Sequence, residues 1–341
     1  MAASSSATII LIVLLYASPS ASSPFNKIYA FGDSFTDTGN TQTGTGPTSF
    51  THVSNPPYGV TFFKHPTNRY SDGRLVIDFV AQELSLPFLP PYKHVKGVPP
   101  QGVNFAVAGS TAIKHAFFVK NNLTLDITPQ SIETQLAWFD SFLQRQGCNG
   151  SVSSTPACAS ALGNALIWVG EIGVNDYAYI VGSSITTETV RNLGIRSVSR
   201  FLKVKPEIIF LAVQGMLPTG CLTLSMALSA ENDRDHLGCV GSLDYWNAYK
   251  RVLMNPEAYG FKEVFNACCG ANDGSPYNFN FFETCGENSS TSCPDPSRFI
   301  NWDGVHLTEA MYRVLSTMFT KGKFSYPPFS SFSEILNSIE H

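Results

Sequence analysis

Residues 28–34 read IYAFGDS, an apolar run of strand length that ends at a glycine and two polar residues. Two similar runs are ALIWV at 165–169 and IIFLAV at 208–213. All three are apolar throughout rather than alternating, which is typical of strands buried in a parallel sheet. Between the last two, the polar segment 186–203 has the composition of a surface helix. Strands separated by helices predict an α/β fold with a parallel sheet covered on both faces.

Other segments have helical periodicity. RLVIDFVAQEL at 74–84 places its apolar residues around one face and is followed by three prolines, which end a helix. A second helix is predicted from near Pro129, where apolar residues recur at three- and four-residue steps, and a third follows residue 306. The sequence has no internal repeat and no charged linker, so it predicts one large domain.

Composition excludes several classes of protein. The chain has 341 residues, of which 43% are hydrophobic and 14% charged, so it has ample material for a core and is not intrinsically disordered. Its net charge is -4, and no basic run could follow a phosphate backbone. Nucleic acid is therefore not an expected partner.

The first residues have the layout of a secretory signal peptide. An apolar run at 9–16 is followed by small residues up to Ser23. The run is too short to span a bilayer, and no later segment is long and apolar enough to do so. We therefore expect a signal peptide at 1–23 and a soluble, secreted mature domain at 24–341.

Cysteines and glycosylation motifs also indicate the secretory route. The eight cysteines contain no C-x-x-C motif, and Asn-x-Ser/Thr acceptors occur at Asn122, Asn149 and Asn288. Eight cysteines allow about 105 connectivities, so the sequence assigns none. The adjacent Cys268 and Cys269 are expected to pair with two different partners rather than with each other.

Candidate catalytic residues follow the predicted strands. In a parallel sheet, reactive groups gather where the carboxyl ends of the strands meet. Ser34 follows the first strand, Gly109 ends the apolar segment that begins at residue 102, and Asn175 follows the strand at 165–169. Near the C-terminus, Asp303 precedes His306 by three residues. We expect these groups to lie together at one edge of the sheet.

Together these residues have the chemistry that acyl transfer requires. Ser34 would be the nucleophile, His306 the general base and then acid, and Asp303 the carboxylate that orients the imidazole. The backbone N–H groups of Ser34 and Gly109 and the side-chain amide of Asn175 would form an oxyanion hole.

Each of these residues also has a structural explanation. A serine after Gly-Asp usually bonds locally in a turn, and a glycine or an Asn-Asp pair can serve a loop alone. The pair Asp233 and His236 has the same spacing as the catalytic candidates but lies in a charged segment typical of a solvated loop. The chain has no G-x-S-x-G, H-E-x-x-H or P-loop motif.

Taken together, four blocks resemble the plant GDSL esterase/lipase family of the SGNH hydrolases. They are FGDSFTDTGN at 31–40, GVNFAVAG at 102–109, GVND at 173–176 and DGVHLTE at 303–309. The resemblance implies a flavodoxin-like three-layer α/β/α fold and ester hydrolysis by Ser34 with the partners assigned above. It also implies no metal or organic cofactor, extracellular location in the cell wall or apoplast, and substrates among acyl lipids, acetylated or phenolic esters and cell-wall esters.

Two features depart from that family. Phe35 replaces the leucine of the family's name, and GCVGS at 238–242 runs almost directly into DYWN at 244–247, where the family usually has a helix and a fifth strand. No apolar run of strand length lies between Val213 and Asp303. We therefore predict that the sheet lacks one strand, that the edge of the strand at 208–213 is open to water, and that stability is lower than in a full-length relative.

The leading hypothesis is a secreted, monomeric serine esterase acting on a small-molecule or lipid ester. An acyltransferase would use the same acyl-enzyme, and a shortened isoform could be a catalytically inactive secreted glycoprotein. The sequence does not identify the substrate. Three pairs of aromatic residues are interpreted as core rather than as the lining of a substrate pocket: Phe62-Phe63, Phe117-Phe118 and Phe281-Phe282.

Overall fold

A computed structural model describes most of the chain. The described residues are 25–42, 51–123, 128–149, 154–203, 210–228, 244–329 and 331. The predicted signal peptide at 1–23 and the alternative pair Asp233 and His236 lie outside these ranges, so both stay predictions.

Within the described residues, the central sheet has four parallel strands in the order β2-β1-β3-β4. Residue 28 of β1 lies opposite Gly102 on one side and Leu166 on the other. The carboxyl ends of the strands therefore share one edge of the sheet, and β1 is flanked on both sides. The strands are β1 (Lys27–Phe31), β2 (Gly102–Asn104), β3 (Ala165–Val169) and β4 (Phe210–Val213).

Helices cover both faces of this sheet, as the sequence predicted. The predicted helices at 74–84, after Pro129, at 186–203 and after His306 correspond to α1, α3, α6 and α9. The helices are α1 (Val76–Glu83), α2 (His115–Lys120), α3 (Ile132–Arg145), α4 (Pro156–Leu162), α5 (Val174–Ala178), α6 (Thr187–Lys203), α7 (Thr223–Leu228), α8 (Asp244–Met254) and α9 (Glu309–Thr320).

Alternate residues of the strands enter two separate cores. Ile28 and Ala30 of β1 pack with α1, α8 and α9, whereas Tyr29 and Phe31 pack with α3, α4 and α6. This alternation follows from the two-residue period of a strand. The parallel sheet with a helical layer on each face gives the expected three-layer α/β/α fold.

The segment after β4 contains short strands that the sequence did not indicate. β5 (Glu263–Ala267) and β8 (Phe299–Asn301) form a separate two-stranded parallel sheet, and β6 (Cys269–Gly270) pairs with β7 (Thr291–Ser292). None of these four strands was predicted, because β5 (EVFNA) is not a continuous apolar run and the other three are only two or three residues long. Among the described residues, β4 has no strand partner on its outer edge, and its last residue, Val213, is 49% exposed.

The interpretation of the aromatic pairs as core is correct for only part of the set. Phe118 is fully buried, but Phe62 and Phe281 are exposed and Phe282 is 86% exposed. The latter pair lies in a loop without a covering element, where hydrophobicity alone does not ensure burial.

Disulfides fix the region that precedes the last helix. Cys268 is bonded to Cys293 and Cys269 to Cys285, so the prediction that these neighbours take different partners is confirmed. Cys148 is bonded to Cys158, and Cys221 is also disulfide-bonded.

Within the part of the chain that the structure describes, each helix is too short or too polar to span a lipid bilayer.

Candidate active site

Asp303 and His306 form a buried carboxylate–imidazole pair on the loop between β8 and α9. His306 Nδ1 lies 2.8 Å from Asp303 Oδ2 and 2.9 Å from Oδ1. Because an ionised carboxylate only accepts hydrogen bonds, Nδ1 carries the hydrogen, which leaves the lone pair on Nε2. The backbone N–H of His306 also donates to Oδ1, at 2.8 Å, so the carboxylate fixes both backbone and ring of a residue only 2% exposed.

Two aromatic rings pack against the imidazole. The centroid of the Phe35 ring lies 5.3 Å from that of His306, and the Tyr70 ring lies at 4.6 Å. Phe35 directly follows Ser34, which is almost fully buried. The fold therefore places the turn that carries Ser34 next to His306, which lies more than 250 residues later in the chain.

Gly32 allows the sharp turn that presents Ser34. Its φ is +142°, and a Cβ atom at this position would lie 3.0 Å from the carbonyl oxygen of Glu171. Gln135 of α3 holds the peptide groups on both sides of Gly32: its Oε1 accepts from the Gly32 N–H at 2.9 Å and its Nε2 donates to the Gly32 carbonyl at 2.7 Å. The turn after β1 is thus fixed by a fully buried side chain from the neighbouring helix.

Asp37 joins the turn after β1 to the segment that leads to Gly109. Its carboxylate accepts the backbone N–H groups of residues 39, 40 and 41. It also accepts the N–H of Ala108 at 3.0 Å. One buried carboxylate therefore links the two segments that carry the predicted backbone donors of the oxyanion hole.

The segment after Gly109 is held by α5. Gly109 has a φ of +78°, and its carbonyl accepts the hydroxyl of Tyr179 at 2.8 Å. The two oxygens of Asp176 accept the N–H groups of Ala112 and Ile113, each at 2.8 Å. Asp176 and Asn175 are neighbours, so the same short helix that fixes this segment also carries the predicted amide.

The amide of Asn175 points toward the turn after β1. Its Nδ2 donates to Asp33 Oδ2 at 2.9 Å and to the carbonyl oxygen of Ser110 at 3.0 Å. To donate to an oxyanion, this amide must share or redirect one of those two hydrogens.

The carboxyl groups of the site have opposite pKa shifts. Burial acts to raise the pKa of Asp303, but the charge of His306 and the hydrogen bonds that Asp303 accepts outweigh burial and lower it. Burial raises the pKa of Asp33 to about 6 and that of Glu171 well above its ordinary value. Asp303 is therefore ionised throughout the neutral range, as a residue that orients an imidazole must be.

Sequence reasoning missed three residues that shape the site. Tyr58 donates to Asp303 Oδ2 at 2.7 Å, Gln135 holds Gly32, and Glu171 lies against Asp33. No local pattern marks Tyr58 or Gln135, because their partners are distant in sequence. Glu171 had a signal, since an acidic residue directly after an apolar strand must be solvated or partnered.

The three predicted glycosylation acceptors, Asn122, Asn149 and Asn288, are all exposed. A glycan at each of them is compatible with the fold, and the modification stays a prediction.

Comparison with known proteins identifies the class. The model of the GDSL-like lipase/acylhydrolase family matches residues 28–317, and the chain belongs to this family. It is 52% identical to GDSL esterase/lipase At3g48460 of Arabidopsis thaliana over 351 aligned positions, covering 92% of this chain and 90% of the relative. It is 35% identical to GDSL esterase/lipase At1g28600 of the same plant, covering 94% and 90%. The protein is a carboxylic ester hydrolase.

The first alignment spans 351 positions and is longer than this chain of 341 residues, so the relative contains residues that this chain lacks.

Proposed function

We propose that the protein is a secreted serine esterase that hydrolyses carboxylic esters through an acyl-enzyme on Ser34. The observation that carries the proposal is the buried Asp303–His306 pair, with both carboxylate oxygens within 2.9 Å of Nδ1, packed against the residue next to Ser34. Membership of an ester-hydrolase family supports the reaction class, and the disulfides support the secretory route.

In the first half of the proposed reaction, His306 Nε2 takes the proton of Ser34 Oγ as Oγ attacks the ester carbonyl carbon. The carbonyl π electrons move to oxygen and form a tetrahedral oxyanion. When they return, the bond to the alcohol oxygen breaks, and the imidazolium gives its proton to that oxygen. Asp303 stabilises the imidazolium without taking its proton.

In the second half, water replaces the alcohol. His306 removes a proton from water as the water oxygen attacks the acyl carbon. When the second oxyanion collapses, the bond between the acyl carbon and Ser34 Oγ breaks, and the imidazolium gives its proton to Oγ, which regenerates Ser34 and releases the carboxylic acid. The proposed oxyanion donors are the N–H groups of Ser34 and Gly109 and the amide of Asn175. Removing one such donor commonly lowers kcat by about 10²–10³.

The test is the replacement Ser34→Ala, measured on a short p-nitrophenyl ester. We expect kcat to fall by about three orders of magnitude or more, with the variant still folded. Hydrolysis at the wild-type rate would overturn the assignment of the nucleophile. A fluorophosphonate probe should label Ser34 in the wild type, and absence of labelling would favour an inactive glycoprotein.

Product analysis distinguishes hydrolysis from acyl transfer. With a competing alcohol present, we expect free acid as the main product, and a predominance of the new ester would identify an acyltransferase. A screen of esters of graded chain length would define the acyl preference among small-molecule and lipid esters.

The proposed maturation and assembly have separate tests. The mature domain is expected to begin at residue 24, in the extracellular space of the cell wall, and to be monomeric. N-terminal sequencing of secreted protein checks the cleavage after Ser23, and light scattering checks the monomer.

A further inference from the structure

Two carboxylic acids lie side by side behind the nucleophile. Asp33 and Glu171 are both fully buried, and the Asp33 N–H donates to the Glu171 carbonyl oxygen at 3.1 Å. Glu171 Oε1 accepts the Val174 N–H at 3.3 Å, whereas Oε2 is buried and receives no hydrogen bond from a donor in the described part of the chain. Oε2 is therefore the oxygen that can carry a hydrogen toward Asp33. Within the described ranges neither carboxyl group has a lysine or arginine in an ion pair. Because two adjacent buried carboxylates repel each other strongly, the pair is stable only while it holds a proton.

The proton belongs on Glu171. Burial, followed by the charge of Asp33, raises the pKa of Glu171 well above its ordinary range. Burial raises the pKa of Asp33 only to about 6, because hydrogen bonds from Glu171 and from the Phe35 N–H and the charge of His306 favour its ionised form. Near neutral pH, Glu171 is therefore a neutral donor and Asp33 an anionic acceptor.

The Asp33 carboxylate holds the amide of Asn175. Its Oδ1 accepts the Phe35 N–H at 3.0 Å, and its Oδ2 accepts Asn175 Nδ2 at 2.9 Å. The other hydrogen of that amide meets the neutral carbonyl of Ser110 at 3.0 Å. Because a hydrogen bond to a charged acceptor is the stronger, the hydrogen on Ser110 is the one that an oxyanion can attract.

We propose that Glu171 is a positioning residue, whose neutral carboxyl group donates to Asp33 and so holds the Asn175 amide ready for the oxyanion. Glu171 itself touches no reacting atom. The inference rests on the proposed function and adds to it the origin of the orientation of one oxyanion donor.

Two replacements separate the hydrogen-bond donor from the shape of the side chain. Glu171→Gln keeps the length and a neutral N–H donor, whereas Glu171→Met keeps the length and removes the donor. We expect Gln to retain kcat within threefold of the wild type. Met should lower kcat by tenfold or more and leave KM within twofold, because the orientation of Asn175 matters most in the transition state.

Several outcomes would overturn the inference. A Met variant with unchanged kcat would show that no donor is needed, and a Gln variant as slow as Met would show that Glu171 must ionise. If Glu171→Met does not fold, Glu171→Gln alone tests the inference. A decrease of tenfold or more in the kcat of Glu171→Gln would show that a neutral donor at this position is not sufficient. The Ser34→Ala variant is measured in parallel. If Ser34→Ala stays active, the proposed function fails. If Ser34→Ala is inactive and Glu171→Met keeps the wild-type kcat, only the inference about Glu171 fails.

Discussion

Tyr58 donates its hydroxyl hydrogen to Asp303 Oδ2 at 2.7 Å, on the same carboxylate that orients His306. Tyr58 is fully buried, and its ring packs edge-on against Trp302. The carboxylate therefore has two side-chain donors, a phenol and an imidazole, and it cannot rotate without losing one of them.

Tyr58→Phe tests this bond. The change leaves the ring in place and removes one donor from Asp303, so we expect kcat to fall by about tenfold and the pKa of Asp303 to rise. Steady-state hydrolysis of a p-nitrophenyl ester measures the rate. Tyr29→Phe is the matched control, because it removes a buried bond to the Ala161 carbonyl in the other core and should leave kcat unchanged. Equal rates for the two variants would contradict the role of Tyr58.

Gly32→Ala tests the turn that presents Ser34. The new Cβ would lie 3.0 Å from the Glu171 carbonyl oxygen at a φ of +142°, so we expect the free energy of unfolding to fall by about 2–3 kcal/mol and kcat by at least about tenfold. Gly97→Ala is the control: it also has positive φ, but a Cβ there meets nothing within 4 Å. Urea denaturation measures the free energy of unfolding of both variants. An equal decrease in the two would mean that the close approach of a Cβ atom to the Glu171 carbonyl at residue 32 is unimportant.

The disulfide Cys269–Cys285 should support activity as well as stability. The Cys269 N–H donates to the Trp302 carbonyl at 2.7 Å, directly before Asp303. We expect the double replacement by serine to lower the free energy of unfolding by about 3 kcal/mol and to lower kcat.

The disulfide Cys148–Cys158 provides the control for that experiment. Its cysteines lie in the core that includes α3 and α4, away from the Asp303 loop. Replacing both with serine should lower thermal stability without lowering kcat in the folded protein. The prediction would be contradicted if kcat fell in the variant without Cys148–Cys158 but not in the variant without Cys269–Cys285.

Stability should decrease as pH rises from 5 to 7.5. Burial raises the pKa values of Asp72 and Asp176 to about 6 and about 7, above the unfolded value of about 3.9. In this window the folded protein keeps protons that the unfolded chain has lost, so each unit of rising pH favours the unfolded chain. We expect a loss of about 2 kcal/mol or more, measured as a lower urea midpoint.

The control for the pH prediction is Asp72→Asn, which removes one of the titrating groups. Its midpoint should depend less on pH than that of the wild type. The lowered pKa of Asp303 acts in the opposite sense, and only below this window, because stability from a depressed carboxyl is lost as pH falls toward its folded pKa. A midpoint that rises with pH between 5 and 7.5 would contradict the prediction.

The sequence predicts those parts of the molecule whose signals are local. β1 and β3 are continuous apolar runs, α3 has helical periodicity, and α6 is a polar segment between two apolar runs, so each was found near its observed bounds. β5 was missed because its sequence is neither a continuous apolar run nor an alternating one: two partly buried residues are followed by two exposed ones, Phe265 and Asn266, and by the buried Ala267.

The residues of the candidate site likewise include some with a local sequence signal and some without one. Asp303 and His306 are three residues apart, so their pairing could be expected from the sequence. Tyr58 and Gln135 act on partners more than a hundred positions away, and only the packing of the whole sheet brings them together. The aromatic pair at 281–282 was misjudged because residue type does not specify which loops remain uncovered.

The order of the site residues along the chain has a consequence for biosynthesis. Ser34 precedes Asp303 and His306 by more than 250 residues, so it is synthesised well before them. If Ser34 is the proposed nucleophile, a nascent chain therefore carries a hydroxyl that has no base to activate it. The proposed mechanism can operate only after the loop that carries His306 has folded against the turn after β1.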